Sequence, residues 1–343
     1  MTESPMLEIA PAVCLQAMNS LGIAVRAEYF CRPSSVDQIY QALDFAHTKG
    51  LAVTALGGGS NLVLAGDILG LVIVVDIKGV SCQEAEGQRL AVRFGAGEDW
   101  HEMVQHCLNK GWYGLENLSL IPGSMGAAPI QNIGAYGVEL SDLFVSLETI
   151  EIATGKPRRF DRQDCQFGYR DSIFKQSLKS QHLITAVTLN LTRQAQVNID
   201  YPALRDSLPE TAPTPLQVSA AVCKIRRQKL PDPAVIPNVG SFFTNPVVSS
   251  EQARQLRSEH PNMPWYAQSD GRFKIPAAWL IDQCGFRGKR YGNVAVHKHQ
   301  ALVLVNHGGT GIEILALAER IKQAVQAAFA IELVIEPSIY GLT

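Results

Sequence analysis

No Cys-x-x-Cys pair occurs in this chain, and its seven cysteines, at 14, 31, 82, 107, 165, 223 and 284, are scattered and odd in number. Neither a disulfide framework nor a structural zinc site is indicated, so reduced thiols in a cytoplasmic protein are the simpler reading. None of the eight histidines has zinc-ligand spacing; His297-x-His299 comes closest and lacks a third partner, so no metal is expected. A Walker-type Gly-Lys-Ser/Thr is missing, which argues against an ATPase. Gly-x-Gly-x-x-Gly opening a helix is missing too, since Gly95-Ala96-Gly97 lacks the third glycine. No Gly-x-Ser-x-Gly elbow marks a serine hydrolase. Charge of one sign is also lacking: 30 Lys plus Arg against 32 Asp plus Glu leaves a net −2, which offers no general grip on nucleic acid. The strongest apolar run, Leu69–Val75, is far too short for a bilayer, and the first thirty residues show no signal-peptide pattern. No membrane partner is expected.

What the chain does have is glycine in two places. Gly57-Gly58-Gly59-Ser60-Asn61-Leu62 lies between two apolar runs. Residues 119–137 hold five small residues between Gly123 and Ala128, then Gln131, Asn132 and a Gly-Ala-Tyr-Gly tail. A surface turn needs one or two such residues, and each extra glycine costs backbone entropy. A longer tract is expected where main-chain N–H groups approach an anion such as a pyrophosphate. Two separated tracts suggest one large phosphate-bearing ligand. For Gly57–Leu62 taken alone, a tight turn between strands is an equal reading, and loop-stabilising hydrogen bonds explain Gln131 and Asn132 as well as ligand contacts would.

The remaining pattern is mixed. Apolar residues make up 46% and charged residues 18%, enough to fill a core, and 343 residues suggest two or three domains. Ser35 and Gln38 form a capping box for a helix to Gly50, followed by strands at Leu51–Leu56 and Leu69–Ile77. Residues 99–110 read as an amphipathic helix closed by Gly111, and Leu147–Ile152 and Ile184–Leu191 as antiparallel strands. A helix from Thr214 carries Arg226 and Arg227 and stops at Lys229-Leu230-Pro231-Asp232-Pro233, the best candidate for a domain boundary. Helices follow at 249–259, at 276–284 with Pro276 in the first turn, and after the Thr310/Glu313 cap with Ile314, Leu317, Ile321 and Val325 inward. Strands are expected at 301–305 and 331–335. The fold class is α+β.

The glycine tracts, Gly168-Tyr169-Arg170-Asp171-Ser172-Ile173-Phe174-Lys175 and Asn238-Val239-Gly240-Ser241-Phe242-Phe243-Thr244-Asn245-Pro246 stand in an order that resembles the UDP-N-acetylenolpyruvoylglucosamine reductase family, from about residue 18 to 341. The resemblance implies a three-domain flavoenzyme, with two FAD-binding domains at 1–76 and 77–229 and a C-terminal α/β substrate domain at 230–333. Residues 334–343 would return to the active site. It further implies non-covalent FAD, NADPH as co-substrate, reduction of an enolpyruvyl UDP sugar for peptidoglycan, and a cytoplasmic monomer. The flavin contacts it implies are Gly57, Gly58, Gly59, Ser60, Asn61, Leu62, Pro122, Gly123, Ser124, Gly126, Ala127, Gln131, Asn132, Gly134 and Ala135.

For the chemistry, the resemblance implies that Arg170, beside Tyr169, grips the enolpyruvyl carboxylate and stabilises the enolate; a planar guanidinium suits that task. A salt bridge with Asp171 is the plainer alternative. Ser241 would be the general acid, where a turn-forming serine is the ordinary reading. The catalytic glutamate of a Glu-Pro-Glu ending falls on Ser338 if Glu336-Pro337 is aligned, and on Glu336 if Phe329, Leu333 and Gly341 are. Only Glu336 offers a carboxylate. Lys229, Asn245 and Gln300 resemble residues that hold the UDP portion, Arg287 a phosphate contact, and Tyr201 the tyrosine by which one branch of the family closes over the nucleotide. Thr244 stands where the family usually has lysine. Two rivals remain: an oxidase on the same FAD framework, which would often carry a flavin-linked histidine that neither loop contains, and a non-catalytic binding homologue.

Overall fold

The computed structural model describes residues 6–84, 86–209 and 212–342; the start of the expected first domain and Thr343 of the tail lie outside them. Its helices begin and end at the caps that the sequence supplies. Helix Val36–Lys49 starts after Ser35, whose hydroxyl accepts from the Gln38 N–H at 3.2 Å, and ends at Gly50 in the left-handed conformation (φ 65°) that glycine adopts without a Cβ clash. The Gln38 side-chain oxygen accepts from the Ser34 N–H, one residue ahead of the expected capping-box partner. In helix Gly311–Phe329 the box closes as expected between Thr310 and Glu313, and Ile314, Leu317, Ile321 and Val325 are buried. Pro276 stands at the N-cap of helix Ala277–Gln283, not inside its first turn. The Asn245 side-chain oxygen accepts from the Ala277 N–H at 2.9 Å and supplies the cap that a proline cannot.

One expected strand does not form. Residues 331–335 keep the alternation, with Ile331 and Leu333 buried, but make only an isolated bridge between Ile335 and Phe243. The strand comes after Pro337, which has no N–H to donate: Ser338–Tyr340 pairs in parallel with Leu62–Leu64. Period-two burial is visible in a sequence, whereas a partner some 280 positions upstream is not.

The chain folds as two units. The first holds residues up to Cys14, Arg26–Gly59 and Ile68–Gln228. It contains a four-stranded sheet in the order Ile9–Cys14, Arg26–Cys31, Ile68–Val74, Val53–Leu56, whose last two pairings are parallel, packed on helix Val36–Lys49. It also contains a five-stranded antiparallel sheet, Pro157–Asp161, Phe144–Glu151, His182–Thr192, Arg89–Gly95, Val80–Glu84. Phe94, Trp100, Leu118 and Met125 form part of one core over that sheet, and the Trp100 Nε1–H donates to the Leu118 carbonyl at 2.9 Å.

The second unit holds Leu15–Val25, Ser60–Asp67 and Lys229 onward. An antiparallel sheet, Asn238–Ser241, Val303–Asn306, Val294–Val296, Arg290–Tyr291, forms part of its frame, with helix Gly311–Phe329 beside it. Ser60–Asp67 is fastened to this unit by the ladder of Leu62–Leu64 with Ser338–Tyr340, and Leu15–Val25 by a backbone bond and a buried amide. The Asn238 N–H donates to the Ser20 carbonyl at 2.9 Å, and Asn306 Nδ2 to the Leu21 carbonyl at 2.8 Å.

Candidate active site

In the first unit the two glycine tracts lie against each other. A Cβ on Gly58 would stand 2.9 Å from the Gly123 Cα, and one on Gly57 would stand 2.7 Å from the Ala127 Cβ. Gly126 is pressed in the same way onto Ala96, at 2.6 Å. All three values are shorter than Cβ contacts tolerate, so the close approach of backbone and alanine methyl groups requires the glycines. The second tract is also stitched to the start of helix Trp100–Asn109: Trp100 N–H donates to the Gly123 carbonyl at 2.9 Å, Met125 N–H to Glu98 at 2.8 Å and Gly126 N–H to Ala96 at 2.9 Å. The result is a close approach of two small-residue tracts, which lets peptide N–H groups come near a ligand. It fits a pyrophosphate-bearing cofactor. Ser60, Asn61 and Leu62 follow the glycines but belong to the second unit, where the Asn61 carbonyl accepts from the Ser338 N–H at 3.1 Å.

The Asn132 side chain makes loop-stabilising hydrogen bonds, one of the two readings open from the sequence. It is 1% exposed; its Nδ2 donates to the Glu139 carboxylate at 2.8 Å and the Gly168 carbonyl at 3.0 Å, and its oxygen accepts from the Ser141 N–H at 3.0 Å. A side chain so enclosed holds its loop in shape. Gln131, Pro122, Gly134 and Ala135 lie in or beside the same loop, the last two in a short hairpin with Val138–Glu139.

Arg170 adopts the left-handed conformation (φ 56°), and its guanidinium donates to the Gly134 carbonyl at 2.5 Å. A Cβ on Gly134 would stand 2.9 Å from that guanidinium and 3.1 Å from the Val138 carbonyl. The guanidinium carbon lies 5.4 Å from the Tyr169 ring centroid. The Asp171 carboxylate accepts from the Ser172 N–H and from Gln176, each at 2.9 Å. A second arginine, Arg226, shares this neighbourhood. Its Nε donates to the Leu120 carbonyl at 3.2 Å, and burial lowers its pKa, with the charge of Arg170 pushing the same way. Burial raises the nearby Tyr136 hydroxyl, which Arg226 partly offsets. Two neighbouring guanidiniums make this part of the unit receptive to an anion. Tyr201, 41% exposed, caps the turn Pro202–Arg205 and sets its ring edge-on against Tyr136, centroids 5.2 Å apart.

Ser241 and Glu336 are both in the second unit, and the backbone brings them close. Ser241 ends strand Asn238–Ser241 and is followed by Phe242 and Phe243, both almost wholly buried, which anchor the loop. The 242–244 and 334–336 segments then run antiparallel: Thr244 N–H donates to Val334 at 3.0 Å and Glu336 N–H to Phe242 at 3.0 Å. Glu336 is thereby fixed next to the residue that follows Ser241. Ser338 starts a strand two residues further on. Asn245 is set by the cap it gives to Ala277. Arg287 is paired with Asp282 at 2.9 Å, so part of its fork is already engaged. Gln300 lies in the turn before Val303–Asn306, and Lys229 is exposed at the end of helix Pro215–Lys229. Among the described residues no three His, Cys, Asp or Glu side chains cluster to hold a metal, and all seven cysteines are unpaired.

Comparison with known proteins decides the family. Residues 27–161 match the FAD binding domain family, and residues 231–340 match the C-terminal domain of UDP-N-acetylenolpyruvoylglucosamine reductase. The UDP-N-acetylenolpyruvoylglucosamine reductase of Pseudomonas aeruginosa is 48% identical over 338 residues, 97% of this chain and 99% of the relative. That of Chromobacterium violaceum is 46% identical over the same span. This chain belongs to the UDP-N-acetylenolpyruvoylglucosamine reductase family. The crystal structure of UDP-N-acetylenolpyruvylglucosamine reductase from Thermus caldophilus superposes with a TM-score of 0.68 over 98% of this chain and all of that one. At 21% identity that likeness speaks for the fold, an α+β FAD-binding flavoenzyme. Arg226 and Tyr136 were not among the site residues expected from the family motifs. The sequence signal for Arg226 was its place near the end of helix Pro215–Lys229.

Proposed function

We propose that this enzyme is an FAD-dependent oxidoreductase that uses NADPH to reduce the enolpyruvyl ether of UDP-N-acetylglucosamine enolpyruvate to UDP-N-acetylmuramate, in peptidoglycan precursor synthesis. The observation that carries the reading is the 48% identity to a UDP-N-acetylenolpyruvoylglucosamine reductase along nearly the whole chain. When bound, FAD supplies the hydride, drawn from NADPH, that reaches the terminal enolpyruvyl carbon.

The chain's own residues do the rest. Gly57–Leu62 and Pro122–Ala127 hold the cofactor's pyrophosphate with peptide N–H groups, while Asn132 keeps the second loop in shape. Arg170 binds the enolpyruvyl carboxylate, and with Glu336 it stabilises the enolate as it develops. Ser241 delivers a proton to the adjacent carbon. A hydroxyl is a poor acid in water, yet toward an enolate carbon the transfer is downhill. Lys229, Asn245, Gln300 and Arg287 hold the UDP portion, Tyr169 supports Arg170, and Tyr201 closes over the nucleotide. The reading includes three domains at 1–76, 77–229 with 334–343, and 230–333, in a cytoplasmic monomer. No helix among the described residues is long and apolar enough to cross a membrane.

Separate measurement of the two half-reactions tests these roles. Ser241→Ala should leave the bleaching of flavin by NADPH nearly intact and slow reoxidation by the enolpyruvyl substrate by about 10²–10⁴-fold. Glu336→Gln should fall in the same half-reaction. Equal losses in both halves, or unchanged turnover, would remove these two residues from the chemistry.

A further inference from the structure

The turn that carries Tyr136 and the segment that leads to Tyr201 are tied to one buried carboxamide. Asn117 is 1% exposed, and both its amide hydrogens are used: Nδ2 donates to the Tyr136 carbonyl at 2.8 Å and to the Asn198 carbonyl at 2.9 Å. Asn198 reinforces the tie from the outside, its Nδ2 lying 3.4 Å from the Gly137 carbonyl and its oxygen accepting from the Asp200 N–H at 3.1 Å. Residues 193–200 form neither helix nor strand. Val197 and Ile199 bury the segment among Tyr136, Leu204, Val218 and Val222. Apolar contacts of that kind hold a segment down without fixing where it stands along its length, whereas two hydrogen bonds from one rigid donor do fix it. Tyr136 is itself in the left-handed conformation (φ 50°), which a tyrosine adopts only when its surroundings impose it.

We propose that Asn117 is a positioning residue for Tyr201. By joining the Tyr136 turn to Asn198, it sets the place from which the exposed Tyr201 ring meets the nucleotide portion of the substrate. Asn117 acts through the two carbonyls it holds and does not reach substrate, being enclosed on every side. The proposal rests on the reading that Tyr201 covers the nucleotide, and the experiment separates the two.

The test is a double-mutant cycle on the holoenzyme with Asn117→Ala, Tyr201→Ala and the pair. KM and kcat are measured for the enolpyruvyl UDP sugar, and its Kd is read by flavin absorbance on the oxidised enzyme without NADPH. Loss of one buried tie should raise KM and Kd by about 3- to 10-fold and leave kcat and the NADPH half-reaction nearly unchanged. The double variant should match Tyr201→Ala alone, because Asn117 has nothing left to position. Additive effects, or equal damage to both half-reactions, would overturn the role of Asn117 and leave that of Tyr201 standing. An unchanged Kd in Tyr201→Ala would overturn the reading of Tyr201 and the proposal with it. Should Asn117→Ala fail to fold, Asn198→Ala, which removes only the outer part of the tie, is expected to raise Kd by about 2- to 3-fold, again without effect beside Tyr201→Ala. No rise would overturn the proposal.

Discussion

Leu120 is a leucine held in the left-handed conformation (φ 59°), and two side chains grip it: His101 Nδ1 accepts its N–H at 2.9 Å, and Arg226 donates to its carbonyl. The first bond exists only while Nδ1 carries no proton. Burial holds the His101 pKa below its usual 6.5; Asp99 opposes this, and Arg227 and Arg226 add to it. A histidine whose folded pKa is lowered costs stability on protonation. Its contribution is therefore intact above the unfolded value and is lost as pH falls below 6.5 toward the folded value. Thermal stability should decline over that range. His182, also lowered by burial, adds to the decline, so the difference between wild type and His101→Asn isolates the His101 share. Asparagine offers an acceptor near the Nδ1 position with no proton to gain, and its melting temperature should vary less between pH 7.5 and 5. A variant as pH-sensitive as wild type would mean that this bond does not matter. None of this was legible in the sequence. Asn117, Asn132 and His101 act through partners 7 to 81 residues away, and their residue types say nothing about which group they will meet.

At the scale of elements, the two glycine tracts were legible because a backbone-to-backbone approach has one solution, the absence of Cβ atoms. The same geometry makes a sharp expectation. In Gly58→Ala the new methyl group would meet the Gly123 Cα at 2.9 Å, a backbone atom that cannot swing aside as a side chain would. The loops should separate, and the variant should purify with much less flavin than wild type. The ratio of flavin to protein absorbance measures this directly. Full flavin content would show that the two loops do not form the cofactor cradle. Helix ends were equally readable, since Ser35, Thr310 and Gly50 do local work within one turn. Strand 338–340 was not. Its partner lies at 62–64, and extended residues 331–335 show the same alternation without a ladder.

For the whole molecule, two short early segments, Leu15–Val25 and Ser60–Asp67, belong to the unit built by the C-terminal part of the chain. A contiguous reading does not reveal such an interleaving, because the ties, a short ladder at Leu62–Leu64 and side-chain bonds such as Asn306 to Leu21, join residues more than 270 positions apart. The end of helix Pro215–Lys229 was readable, as two prolines follow it. The reaction itself is a property of the entire chain with its cofactor. The most direct test is an anaerobic absorbance titration of the flavin-loaded protein, first with NADPH and then with UDP-N-acetylglucosamine enolpyruvate. The flavin band should bleach with NADPH and return on addition of the enolpyruvyl substrate. A band that bleaches and does not return with that substrate would contradict the proposed reaction.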